Sequence, residues 1–151
     1  MKEQLLDTWK INNRINLYLL DAIADEALGI SAPMGRSVAQ QFAHMHNVRL
    51  MWLKSGVPEL LEGLEKIEQA VFSKDMLRYG LEDSGRAIEG LLMRGIAAGK
   101  IKGFKPHPTA FLGYLIAHDA YHRAEIGLIL TQSGHPLDQK TSYGMWEWGS
   151  R

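Results

Sequence analysis

Four stretches of this chain repeat apolar side chains at helical spacing, and connections rich in glycine and proline separate them. That pattern constrains the fold more than any other feature. The first stretch, about residues 3–27, carries Leu5, Leu6, Trp9, Ile15, Leu17, Leu20, Ile23 and Ala24 at intervals close to the helical period. LGISAPMGRS (28–37) then disfavours helix through Gly29, Pro33 and Gly35. A second helix is predicted from an N-cap at Ser37 to Lys54, stopping at SGVP. Its sequence, VAQQFAHMHNVRLMWL, is apolar on more than one face, which places it centrally. PELLEGLEKIEQAVF (58–72) reads as a shorter helix with Pro58 in its first turn.

A third long helix is expected over about 73–98, capped by Ser73. Glycines at 80, 85, 90 and 95 each cost up to ~1 kcal/mol against alanine, which suggests a break near LEDSG (81–85). GKIKGFKPHP (99–108) is a linker whose lysines, Lys100, Lys102 and Lys105, read as solvated. A fourth helix starts at Pro108 or Thr109 and ends at QSGHP (132–136). The tail, LDQKTSYGMWEWGSR, reads as irregular. No β-type alternation, internal repeat or low-complexity block appears, so the expectation is one domain over residues 1–151, an all-α, up-down four-helix bundle.

Charge narrows the functions open to such a bundle. With 17 basic and 17 acidic side chains, the chain has no general attraction for nucleic acid or an anionic membrane. Cysteine is absent, which excludes disulfides and thiolate ligands and fits a reducing compartment. Apolar runs such as FLGYLIA (111–117) fall far short of the roughly 20 residues a bilayer span needs. MKEQLLDTWK has no signal-peptide core, so a cytoplasmic location is expected.

The chemistry concentrates in AHDAYHRAEIG (117–127). At roughly 100° per residue, His122 falls roughly 40° from His118, inside the apolar stripe of Phe111, Leu115, Ile126 and Ile129. Two histidines at i, i+4 can grasp one ion, and a metal satisfies two buried rings together. Glu125 shares the face and can orient a ligand or hold a water. Asp119 is read as turning away from the histidine stripe. On the second helix His44 and His46 point about 200° apart, so one metal cannot easily take both, and periodicity does not choose between them. His107 and His135 sit in linkers and read as surface residues.

Together, WKINNRINLYLLDAI, HMHNVRLMWL and HDAYHRAEIG resemble the DinB/YfiT-like superfamily of metal-dependent proteins over nearly the whole chain. The resemblance implies a four-helix bundle, often dimeric, with three histidines on one divalent metal. One of these lies eight residues before a tryptophan on the second helix, and two form an HxxxH on the last long helix. Carried onto this sequence, that selects His44, eight before Trp52, with His118 and His122, and leaves His46 as the substitute. The expected cofactor is zinc or nickel, both suited to imidazole. Three histidines leave an open coordination position, where a water or a thiol can be activated. The resemblance accordingly implies a hydrolase or a transferase of low-molecular-weight thiols acting on a small molecule. The alternative is a non-catalytic metal-binding or stress-response module.

Other metal and nucleophile motifs fit less well. HDAYH lacks the glutamate of HExxH, a di-iron bundle needs paired Glu-x-x-His motifs, and GxSxG, P-loop and GxGxxG are absent. Trp146 and Trp148 in the tail either pack on the bundle or a dimer interface, or close as a lid that brings Glu147 to the metal. Met45 and Met51 read as core filler.

Overall fold

The four expected helices form, and their ends follow local capping chemistry. In the computed structural model, which describes residues 1–68 and 72–151, α1 spans Lys2–Ala22, α2 Val38–Gly56, α3 Lys74–Ala98 and α4 Pro108–Gln132. Ser37 caps α2 by accepting from the Gln40 amide, and the Gln40 side chain accepts in return from Ser37, a reciprocal capping box. Ser73 caps α3 by accepting from the Met76 amide, without a reciprocal bond. Gly99, at φ 73°, ends α3 in the left-handed region that only glycine enters freely. α1 stops at Ala22, earlier than expected, and Asp25–Ala27 form a 3₁₀ turn. Among the described residues the chain is all-helical with no strand.

α1 and α2 stand at opposite corners, each flanked by α3 and α4. Two apolar clusters fill the interior. One gathers Leu19, Leu20, Val38, Phe42, Leu77, Leu81, Ile126 and Leu130. The other gathers Trp9, Leu53, Ile88, Leu92, Phe111 and Leu115. α1 and α4 run from the second cluster to the first, whereas α2 and α3 run from the first to the second. The direction order is therefore up, down, down, up, and simple up-down alternation is not followed.

The parallel α2–α3 pair requires a connection that returns along α2, and this corrects the expectation for residues 58–72. Only Pro58–Leu61 form a 3₁₀ turn, residues 62–68 carry no helix, and 69–71 of the expected helix lie outside the described residues. An extended chain covers more than twice the helical rise per residue, so it makes the return with length to spare. α2 pins it. Asn47 exchanges two hydrogen bonds with the backbone of Ile67, at 3.1 and 3.0 Å. His46 lies against the Glu65 carbonyl at 2.7 Å and the Gly80 carbonyl of α3 at 2.9 Å.

α3 is continuous, without the expected break. Its glycines buy close approach rather than flexibility: a Cβ on Gly85 would strike the Asn13 amide, and one on Gly95 would strike Ile101. The Gly85 carbonyl meanwhile accepts from Trp9 Nε1 at 2.9 Å. Met45 is buried as expected, but Met51 is exposed. The tail is more ordered than its composition suggested, with α5 at Gln139–Gly144 and a 3₁₀ turn at Trp148–Ser150. Arg151 stacks on Tyr18, 3.9 Å from the ring centre, and donates to the Gly144 carbonyl.

Between the two apolar clusters lies a buried polar layer. Asp119 Oδ2 accepts from Asn12 and Asn16 of α1, both at 2.9 Å, and from Arg49 Nη2 of α2 at 3.1 Å. Arg49 Nη1 donates onward to the Leu81 carbonyl and the Ser84 hydroxyl of α3. Arg49 is 1% and Asp119 2% exposed, so neither charge has water to fall back on. Removing one partner of a buried ion pair costs about 3–5 kcal/mol, because the other is left uncompensated. Asp119→Asn is expected to destabilise the protein by about that amount in urea unfolding followed by helicity. Adding Arg49→Met to that variant should recover part of the loss, and full additivity of the two substitutions would refute the pairing.

Candidate metal centre

α2 buries two faces, one against α4 and one against α3, and its two histidines divide accordingly. His46 faces α3 and the returning connection, where both its ring nitrogens meet carbonyls. Burial lowers its pKa, against the two carbonyls, which favour the proton. It cannot reach α4 and takes no part in the centre. His44 faces α4 and meets His118 and His122.

The three rings have centroid separations of 5.4 Å (His44–His118), 4.7 Å (His44–His122) and 4.6 Å (His118–His122). One nitrogen from each lies within 4.8 Å of the others, so the three can hold a metal ion. Bonds of ~2.1 Å in a tetrahedral arrangement need nitrogens roughly 3.4 Å apart, so binding an ion would draw the rings together. His107 and His135 stay outside, as expected. His107 caps α4 by accepting from the Ala110 amide at 3.2 Å, and His135 lies 3.1 Å from the Ser133 carbonyl.

Ring orientation is set by neighbours that periodicity did not reveal. The Gln41 side-chain oxygen sits 2.5 Å from His122 Nδ1, so Nδ1–H donates there and Nε2 keeps its lone pair. Gln41 is buried one turn before His44, and only its place on the same face could have drawn attention to it. Asp119 Oδ1 lies 3.6 Å from His118 Nδ1. The expectation that Asp119 turns away from the histidines is thus corrected: its carboxylate enters the core beside His118. Arg49 holds that carboxyl well below the usual carboxylate range despite burial, so it is ionised. Glu125 Oε2 is 3.6 Å from His122 Nδ1, farther than Gln41, and its carboxylate raises the pKa of the neighbouring Tyr121. Tyr114 stacks on His118 and joins it to an aromatic cluster of Trp52, Phe104 and Phe111.

A cavity of about 640 Å³ opens beside His44, between α2, α4 and the loop before α2. Arg36, Gln40, Glu68, Phe72, Glu125 and Leu128 help to line it. The tail lies elsewhere: Trp146 and Trp148 border a separate cavity with Ala120, Ala124 and Gly127, on the opposite side of α4. The lid arrangement is therefore not the one observed. Trp148 is half-buried and packs on the bundle, whereas Trp146 is 80% exposed and does not.

Burial lowers the pKa of His44, and Arg36 and His118 lower it further. Burial also lowers His122 to about 4, with His118 and His44 adding to the shift. Both rings are thus neutral at pH 7 with lone pairs free, the state a metal needs. In the metal-free protein the unfolded chain binds these protons near pH 6.5 while the folded state resists them. Stability is therefore expected to fall as pH drops from about 6.5 to about 4, by on the order of 2 kcal/mol for His122 after allowance for partial solvation at the cavity. His122→Gln should flatten that slope in urea unfolding at graded pH, and an unchanged slope would refute the assignment. No protein-family model, characterised protein or solved structure matches this chain.

Proposed function

We propose that the chain is a DinB-like four-helix bundle whose His44, His118 and His122 hold one divalent metal, zinc or nickel. Its activity is then that of a metal-dependent hydrolase or thiol transferase acting on a small molecule. The observation that carries this reading is the convergence of three imidazoles from two helices, with His44 at the edge of an open cavity. A closed structural site takes four protein ligands, whereas three ligands beside a cavity leave room for a reacting group.

The residues divide the work. His44, His118 and His122 bind. Gln41 holds the His122 ring in the tautomer that presents Nε2, and the Asp119 carboxylate lies where it favours a proton on His118 Nδ1. When bound, the metal supplies Lewis acidity that brings the pKa of a coordinated water or thiol toward neutrality. Glu125, half-exposed at the cavity, is the group placed to accept a proton from an incoming nucleophile. Arg36 lines the same cavity and forms no ion pair among the described residues, so it can hold an anionic group of the substrate. Phe72, Leu128 and Ile129 give the apolar part of the wall.

Metal analysis of protein purified without a histidine tag tests the centre. One equivalent is expected in the unaltered chain, and loss in each of His44→Ala, His118→Ala and His122→Ala. Gln41→Leu should weaken affinity about 10–100-fold while leaving the ligands in place. His46→Ala should keep its metal but lose about 1–3 kcal/mol of stability, since its contacts hold the connection to α3. Metal retained in His118→Ala, or lost in His46→Ala alone, would overturn the ligand set. Turnover is expected when the loaded protein is offered thiols with electrophiles, or simple esters and amides. Absence of turnover with zinc and nickel alike would favour a non-catalytic metal-binding module.

A further inference from the structure

The second cavity, about 550 Å³, lies on the far side of α4 from the histidines. Its volume falls in the range of small-molecule sites, ~300–1,000 Å³. Ile15 of α1, Ile116 of α4, and Leu137, Met145, Trp146 and Trp148 of the tail make it largely apolar. It has one charged lining residue, Arg123.

The charge count beneath this cavity does not balance. Two guanidiniums, Arg49 and Arg123, surround one carboxylate, Asp119. Arg49 takes the carboxylate directly, at 3.1 Å. Arg123 instead donates through Nη1 to the side-chain oxygens of Asn12 (3.0 Å) and Asn16 (2.5 Å), whose amides face Asp119. Among the described residues its Nε and Nη2 have no protein partner, and neither is a fully buried atom. One half-buried cation with two free donors therefore sits at the wall of an apolar chamber that contains no acid. A partly buried charge without a counter-ion is costly, and Nε with Nη2 presents the fork that matches a carboxylate.

We propose that this cavity is a binding site for a small apolar monoanion, an aliphatic or aromatic carboxylate whose head pairs with Arg123 and whose body lies against Trp146 and Trp148. The site is distinct from the metal centre and does not depend on the function proposed for it.

Octanoate and 1-octanol, matched in length and different in charge, test the proposal by calorimetry on the full chain. Octanoate should bind about tenfold or more tightly than the alcohol. Gly127 lines the chamber and has nothing within 4 Å of where a Cβ would stand, so Gly127→Phe is expected to place its ring in the cavity. That variant should lose octanoate binding while keeping its melting temperature and its metal content. Arg123→Gln should remove the preference for carboxylate over alcohol. Should this variant fail to fold, the comparison of probes and Gly127→Phe still decide. Equal affinity for the two probes, no binding of either, or undiminished binding in Gly127→Phe would overturn the proposal. So would a dimer in sedimentation that Gly127→Phe dissociates, since a second copy would then cover the cavity.

Discussion

The buried carboxylate of Asp119 is the constraint around which the bundle is arranged. An ionised carboxylate in an apolar interior is prohibitive unless donors surround it, and three side chains from two other helices supply them. Arg49, having reached Asp119, must itself be satisfied, and it uses α3 for that purpose. One residue of α4 thus fixes the heights of all four helices. Apolar packing alone tolerates sliding, because leucine against leucine is similar one turn away. A carboxylate that must meet Asn12, Asn16 and Arg49 together is not similar one turn away, and this specificity justifies a polar layer that adds little net stability.

The metal centre inherits its geometry from that layer. His118 precedes Asp119 in sequence and lies beside its carboxylate in space, and His122 is one turn on. Fixing the height of α4 against α2 therefore places both rings opposite His44. α2 contributes on both sides: His44 enters the centre, while His46 and Asn47 hold the connection that lets α3 run parallel to α2. Two histidines separated by one residue in HMH serve unrelated ends because a helix turns roughly 200° over two residues.

Much of this was legible in the sequence. Helical periodicity with Ser37, Ser73 and Pro108 located the long helices, since capping is chemistry within four residues. The i, i+4 pair His118 and His122 was visible for the same reason. His44 was separable from His46 only through the family resemblance, because each lies on an apolar face and the partner of each face is a tertiary fact. The glycines of α3 misled: propensity prices a glycine as a local cost, but at Gly85 and Gly95 the missing Cβ admits a neighbouring side chain. Residues 58–68 misled in the opposite sense, since a helical pattern there yields to the need to span back along α2. Asp119 was read as turned away from the histidine stripe because a helical wheel places it roughly 100° from His118, and only Asn12, Asn16 and Arg49, distant in sequence, show why it is buried.

α4 illustrates why its function could not be confined to one face. Its histidine side meets α2 and the larger cavity, and its opposite side meets the tail and the smaller one. Both sides carry apolar residues, so the helix shows little polarity contrast around its circumference, and Asp119 and Arg123 bond within one set. Asp119 and Arg123 belong to one hydrogen-bonded set with Asn12 and Asn16, and that set passes from the His118 side of α4 to the tail side. The amides are the essential spacers. Each gives its N–H to the carboxylate and its oxygen to the guanidinium, so Arg123 is held in place without being neutralised. A carboxylate at either asparagine would have cancelled the surplus positive charge; the neutral amide preserves it and leaves it facing a largely apolar chamber whose lining holds no acid.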